Sequence, residues 1–126
     1  MTARALVVDD AADLRLLVRT ALQREGIDVD EAANGRDALD ALAAGSLPDI
    51  VVLDIQMPEL DGWDTLAAIR AGKDTASLPV IVCTVRSHPA DIERAADLGA
   101  DAVVTKPFAV DELTSTVARV LRGALG

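Results

Sequence analysis

Aromatic side chains are nearly absent: Trp63 and Phe108 are the only two in 126 residues, and there is no tyrosine. Val, Leu, Ile and Ala must therefore fill any core, which favours thin, regular layers of strand and helix. Cysteine is scarcer still. Cys83 stands alone, so neither an internal disulfide nor a metal–thiolate cluster can form. No apolar run approaches the roughly 18 residues of a membrane span. The opening Met1-Thr2-Ala3-Arg4 lacks signal-peptide architecture. Basic residues are outnumbered, with 12 Lys and Arg against 21 Asp and Glu, giving a net charge of −9. Such a surface repels phosphate backbones, which argues against direct nucleic-acid binding, and it suits a site that concentrates a divalent cation. These absences point to a soluble cytoplasmic protein with no membrane association.

What is present is one domain's worth of chain, 51% apolar, enough for a real core at this size. Short β-branched runs alternate with helical periods five times. Leu6-Val7-Val8 reads as a buried strand, and Leu14, Leu17, Val18, Ala21 and Leu22 form one face of a helix that Gly26 is placed to end. Ile27 to Glu31 alternates weakly, as a second strand would. Asn34-Gly35 reads as a turn before a short helix carrying Ala38, Leu39 and Leu42. The continuously apolar Ile50-Val51-Val52-Leu53 reads as a central parallel strand covered on both faces.

A loop from Asp54 to Gly62 follows, then a helix with Leu66 and Ile69. Pro79 opens the strand Val80-Ile81-Val82-Cys83, and a helix from about Ala90 to Leu98 closes at Gly99. Ala102-Val103-Val104 is the last strand. Val110, Leu113, Val117, Val120 and Leu121 stripe the last helix. Five such units imply an α/β fold, a parallel sheet with helices on both faces. Neither repeats nor an interdomain linker interrupts the chain, so the expectation is one domain over residues 1–126 with no output domain.

Open parallel sheets bind ligands beyond the carboxyl ends of their strands. There the first strand ends in Asp9-Asp10, the third in Asp54, the fourth in Thr84 and the fifth in Lys106-Pro107. Three carboxylates, a hydroxyl and an ammonium thus converge on one rim. Clustered carboxylates repel one another and bind a hard cation through oxygen, typically Mg²⁺. With the cation in place, Asp54 can attack phosphorus as a carboxylate nucleophile and form an acyl phosphate. Lys106 and Thr84 are suited to the equatorial phosphoryl oxygens.

These residues, with the run Asp54-Ile55-Gln56-Met57-Pro58-Glu59-Leu60-Asp61-Gly62 and Lys106-Pro107-Phe108, resemble the receiver domains of bacterial two-component response regulators. The resemblance covers the whole chain and is nearest in kind to single-domain chemotaxis regulators. It implies a flavodoxin-like, doubly wound five-stranded sheet in the order 2-1-3-4-5. It makes Asp54 the acceptor of phosphate from a sensor histidine kinase or a histidine phosphotransfer protein. Mg²⁺ would be held by Asp10 directly, by Asp9 through water, by Asp54 and by the backbone carbonyl of Gln56. Thr84 and Lys106 would sense the phosphoryl group, and the Lys106–Pro107 bond would be cis. The output would be binding of a downstream protein through the fourth helix, fifth strand and fifth helix. The resemblance also implies a switch, which catalyses only its own phosphorylation and slow dephosphorylation.

Three features depart from the family pattern. Val103 stands where receivers usually carry the Tyr or Phe that rotates inward on activation. Val85 stands where Ala or Gly usually leaves room beside the phosphoryl group, so slow phosphorylation and a long-lived phosphoprotein are expected. Gln56 and Arg86 occupy the two variable positions that tune phosphoryl lifetime, with Arg86 free to attract donor phosphate or to pair with Glu59. Two rival readings are weighed against the switch. A Mg²⁺-dependent aspartyl phosphatase of the haloacid-dehalogenase type places a second acid two residues after the nucleophile, where this chain has Gln56. A phosphorylation-independent interaction module on the same fold gains some weight from Val85 and Val103. His88 reads as a loop residue, Cys83 as a small core hydrophobe and Trp63 as packing at a helix start.

Overall fold

The computed structural model describes residues 2–55, 61–84, 89–106 and 108–125. Five strands and five helices alternate: β1 (Arg4–Val8), α1 (Ala12–Arg24), β2 (Asp28–Ala32), α2 (Gly35–Ala43), β3 (Ile50–Asp54), α3 (Gly62–Ala71), β4 (Val80–Thr84), α4 (Pro89–Asp97), β5 (Ala102–Thr105) and α5 (Val110–Leu125). All four strand pairings are parallel, and the order is β2-β1-β3-β4-β5. The chain thus runs outward from β1 in both directions, the doubly wound, flavodoxin-like arrangement.

Strand alternation divides the core into two. Leu6, Val8, Val51, Leu53, Val80 and Val82 face one side, where Ala38, Leu42, Leu66, Ile69 and Ala95 of α2, α3 and α4 cover them. Ala5, Val7, Ile50, Val52, Ile81, Cys83 and Val104 face the other, under Val18, Leu22, Leu113, Val117 and Leu121 of α1 and α5. Every residue of β3 and β4 is buried, as their unbroken apolar sequence requires. Each fully buried Leu or Ile contributes about 1.5–3 kcal/mol by leaving water.

The helix ends follow local chemistry. Gly26 takes φ 79° after α1, which lets its N–H reach Gln23 O and the Ile27 N–H reach Leu22 O. Gly99, at φ 89°, closes α4 in the same way, with its N–H on Ala96 O and the Ala100 N–H on Ala95 O. Asn34 is more than a turn residue: its side chain caps α2 by accepting the Asp37 N–H at 2.8 Å.

One assignment in α1 needs correction. Leu17 lies in the expected apolar stripe, yet it is 47% exposed, and Leu16 beside it is 61% exposed. Only Val18, Ala21 and Leu22 are buried. The helix sits at the edge of its layer with α5 on one flank, so the contact stripe is narrower than the sequence period suggests.

Candidate functional site: an acidic rim with a bridging lysine

Strand register brings the rim together. Val8 pairs with Leu53, so Asp9 and Asp54, the next residues, stand side by side at the ends of β1 and β3. Asp54 pairs with Cys83, and Thr84 with Thr105, which places the hydroxyl and Lys106 one step further along the same edge. The Lys106 N–H donates to Thr84 O at 2.7 Å and fixes the lysine's departure from β5.

Three of the predicted ligands meet. Asp9, Asp10 and Asp54 each offer a carboxylate oxygen within 4.8 Å of the others. Asp9 and Asp54 are buried, at 6% and 4% exposure, while Asp10 opens to solvent. Hard oxygen donors at this spacing, with one side open, fit a Mg²⁺ that keeps part of its water shell. The Gln56 carbonyl lies outside the described residues, as do Val85, Arg86, His88, Glu59 and the Pro107 ring.

Lys106 spans the cluster. Its Nζ is 3.1 Å from Asp9 Oδ2 and 3.3 Å from Asp54 Oδ1. Burial alone would lower the lysine's pKa. The charges of Asp54 and Asp9, with hydrogen bonds to both, outweigh it and hold the ammonium above its ordinary range. Thr84 is buried at the end of β4, and Val103 is half-buried against the core beneath α4. Cys83 is a core residue as expected. Burial first, then the carboxylates of Asp54 and Asp9 against the opposing Lys106, push its thiol up to about 12, so it is inert as a nucleophile.

The backbone around Asp54 is also fixed. The Ile55 N–H donates to Cys83 O, and the Gly62 N–H returns to Ile55 O, both at 3.0 Å. A Cβ on Gly62 would lie 2.4 Å from Ile55 Cα and 2.5 Å from Asp54 O. Gly62 therefore lets α3 start directly against the peptide that follows Asp54, a role that its turn-like sequence context did not reveal. Asp61 caps that helix by accepting the Asp64 N–H at 2.9 Å. Trp63 packs at the helix start, with the Arg94 guanidinium of α4 4.6 Å from its ring centre.

The profile of the response regulator receiver domain matches residues 5–118. The chain belongs to that family. It is 41% identical over 122 residues to the response regulator MprA of Mycolicibacterium vanbaalenii, covering 97% of this chain and 52% of that one. A probable transcriptional regulator of Guillardia theta, ycf27, is 40% identical over 119 residues, which is 94% of this chain and 45% of that protein. The chain spans about half the length of these curated relatives. Among solved structures, the chemotaxis protein CheY4 of Vibrio cholerae superposes with a TM-score of 0.89 at 30% identity, over 95% of this chain and 99% of that one. The receiver domain of the Francisella response regulator 1452 gives 0.88 at 30% identity, over 97% and 98%. The chain thus forms a receiver domain of two-component signalling, and receiver domains act as switches. Among the described residues, no helix is long and apolar enough to cross a membrane.

Proposed function

We propose that Asp54 accepts a phosphoryl group, with Mg²⁺ held by Asp9, Asp10, Asp54 and the Gln56 carbonyl. The observation that carries this reading is the buried Asp54 carboxylate beside two further acids and 3.3 Å from the Lys106 ammonium. A nucleophilic carboxylate with a cationic partner for the transferred oxygens is what in-line phosphoryl transfer needs. In the reaction, an Asp54 oxygen bonds to phosphorus as the donor's P–N or P–O bond breaks, and the leaving group departs with the electron pair. When bound, Mg²⁺ would neutralise the carboxylates and engage a phosphoryl oxygen. Lys106 would take a second oxygen, and Thr84 a third.

The donor would be a sensor histidine kinase or histidine phosphotransfer protein in the cytoplasm. The exposed Leu16 and Leu17 on α1, a few residues beyond Asp9-Asp10, suit contact with such a protein. Phosphorylation adds about −1.5 to −2 charges to the rim. We take residues 1–126 as one receiver unit whose output is protein binding through the α4-β5-α5 face, where Ile92 is 43% exposed. Nucleic acid is not a direct partner of so acidic a unit. Val85, with Gln56 and Arg86, would set the phosphoryl lifetime, and Val85→Ala should accelerate both gain and loss of phosphate in a phosphotransfer assay.

The test is incubation with acetyl phosphate, with and without Mg²⁺. One phosphoryl group per wild-type chain, dependent on Mg²⁺ and absent from Asp54→Asn, is expected. Multiple turnovers of a small phosphoester would favour a phosphatase instead. The aliphatic, half-buried Val103 favours one second reading, a phosphorylation-independent interaction module. Partner binding unaltered in Asp54→Asn would support it.

A further inference from the structure

Asp9 is constrained at every polar atom. Its N–H donates to Ala32 O at 3.1 Å, its Oδ1 accepts the Ala11 N–H at 2.9 Å, and its Oδ2 meets Lys106. Its carbonyl oxygen accepts Arg15 Nη1 at 2.7 Å, the shortest of these bonds. Arg15 is itself oriented, since its Nε donates to Glu31 Oε1 at 3.1 Å at the end of β2, and only 18% of its side chain is exposed. The other Glu31 oxygen holds Arg19 Nη1 at 2.9 Å. Among the described residues Asp10 accepts no hydrogen bond, and the Asp9–Asp10 peptide that Arg15 grips carries its carboxylate.

We propose that Arg15, braced by Glu31, is a positioning residue for the cation site, fixing the Asp9–Asp10 peptide so that the Asp10 carboxylate faces Asp9 and Asp54. The proposal rests on reading those three acids as the Mg²⁺ ligands. Outer partners that orient metal ligands commonly govern affinity by about 10–100-fold. The planar guanidinium bridges two elements at once, which a lysine ammonium does not reproduce.

Charge alone makes the opposite forecast. Removing a cation beside an acidic site should tighten Mg²⁺, whereas loss of positioning should weaken it. The experiment is calorimetric titration of Mg²⁺ into wild type, Arg15→Met, Arg15→Lys and Arg19→Met, with folding checked by circular dichroism. Arg15→Met should bind Mg²⁺ at least about tenfold more weakly. Arg15→Lys should be intermediate, and it carries the test if the Met variant does not fold. Arg19→Met removes the same charge without touching Asp9 and should stay near wild type. Unchanged or tighter binding in the Arg15 variants overturns the positioning role. A wild-type protein with no saturable Mg²⁺ binding overturns the ligand assignment itself, and the positioning role with it.

Discussion

Lys106 Nζ lies 3.3 Å from Asp54 Oδ1, reached from the end of the edge strand β5 across β4 to β3, and the same nitrogen meets Asp9 just past β1. One ammonium therefore ties three strand ends together and offsets the repulsion of two buried carboxylates.

Replacing that lysine should expose the repulsion. Lys106→Met should destabilise the metal-free protein by about 3 kcal/mol, because two buried charges lose their partner. Urea unfolding with and without Mg²⁺ measures this, and Mg²⁺ should stabilise the variant more than the wild type. The pH dependence has a definite sign. The lysine's pKa is raised in the folded state, so its contribution is complete below the ordinary value of 10.5 and fades as pH rises through the folded value. The wild-type advantage over Lys106→Met should be flat from pH 7 to 9 and shrink at strongly alkaline pH. A gap that widened there would contradict the ion-pair account.

Gly62→Ala tests the contact between α3 and the Asp54 peptide. The added methyl group cannot fit without moving backbone, since it would stand 2.4 Å from Ile55 Cα. A loss of about 1–3 kcal/mol is expected from overpacking, together with slower phosphorylation by acetyl phosphate. Thermal unfolding and a phosphorylation time course check the two effects separately.

Trp63, the sole tryptophan, stacks beneath Arg94 and so reports on the approach of α4 to α3. Arg94→Ala should alter its emission while costing about 0.5–1 kcal/mol, the range of an exposed cation–π contact. If phosphorylation shifts α4, wild-type emission should change and Arg94→Ala emission should not. Equal changes in both proteins would separate the Trp63 signal from that contact.

The sequence showed the sheet and the rim because both rest on strong local signals. The unbroken apolar runs of β3 and β4 are specific to covered parallel strands, and the residue that ends or follows each strand falls on the ligand-binding edge by topology alone. Asp9, Asp54, Thr84 and Lys106 are therefore legible in the sequence. Other features carry no such signal. Leu17 satisfies a helical period whether or not a neighbour covers it, and only the placement of α1 beside α5 shows that about half of it stays exposed. Gly62 looked like a turn residue because the clash that excludes a side chain comes from Ile55, across a loop. Arg15 and Glu31 are ordinary surface types 16 positions apart, and Glu31 reaches the guanidinium that holds the Asp9 carbonyl only once β1 and β2 pair.

The most direct test of the central claim is chemical trapping of the acceptor. After exposure to acetyl phosphate and Mg²⁺, borohydride reduction of an aspartyl phosphate leaves homoserine in its place, which peptide mass spectrometry locates. The account predicts homoserine at position 54, dependent on both donor and Mg²⁺. An unmodified Asp54, or conversion at Asp9 or Asp10 instead, would contradict it.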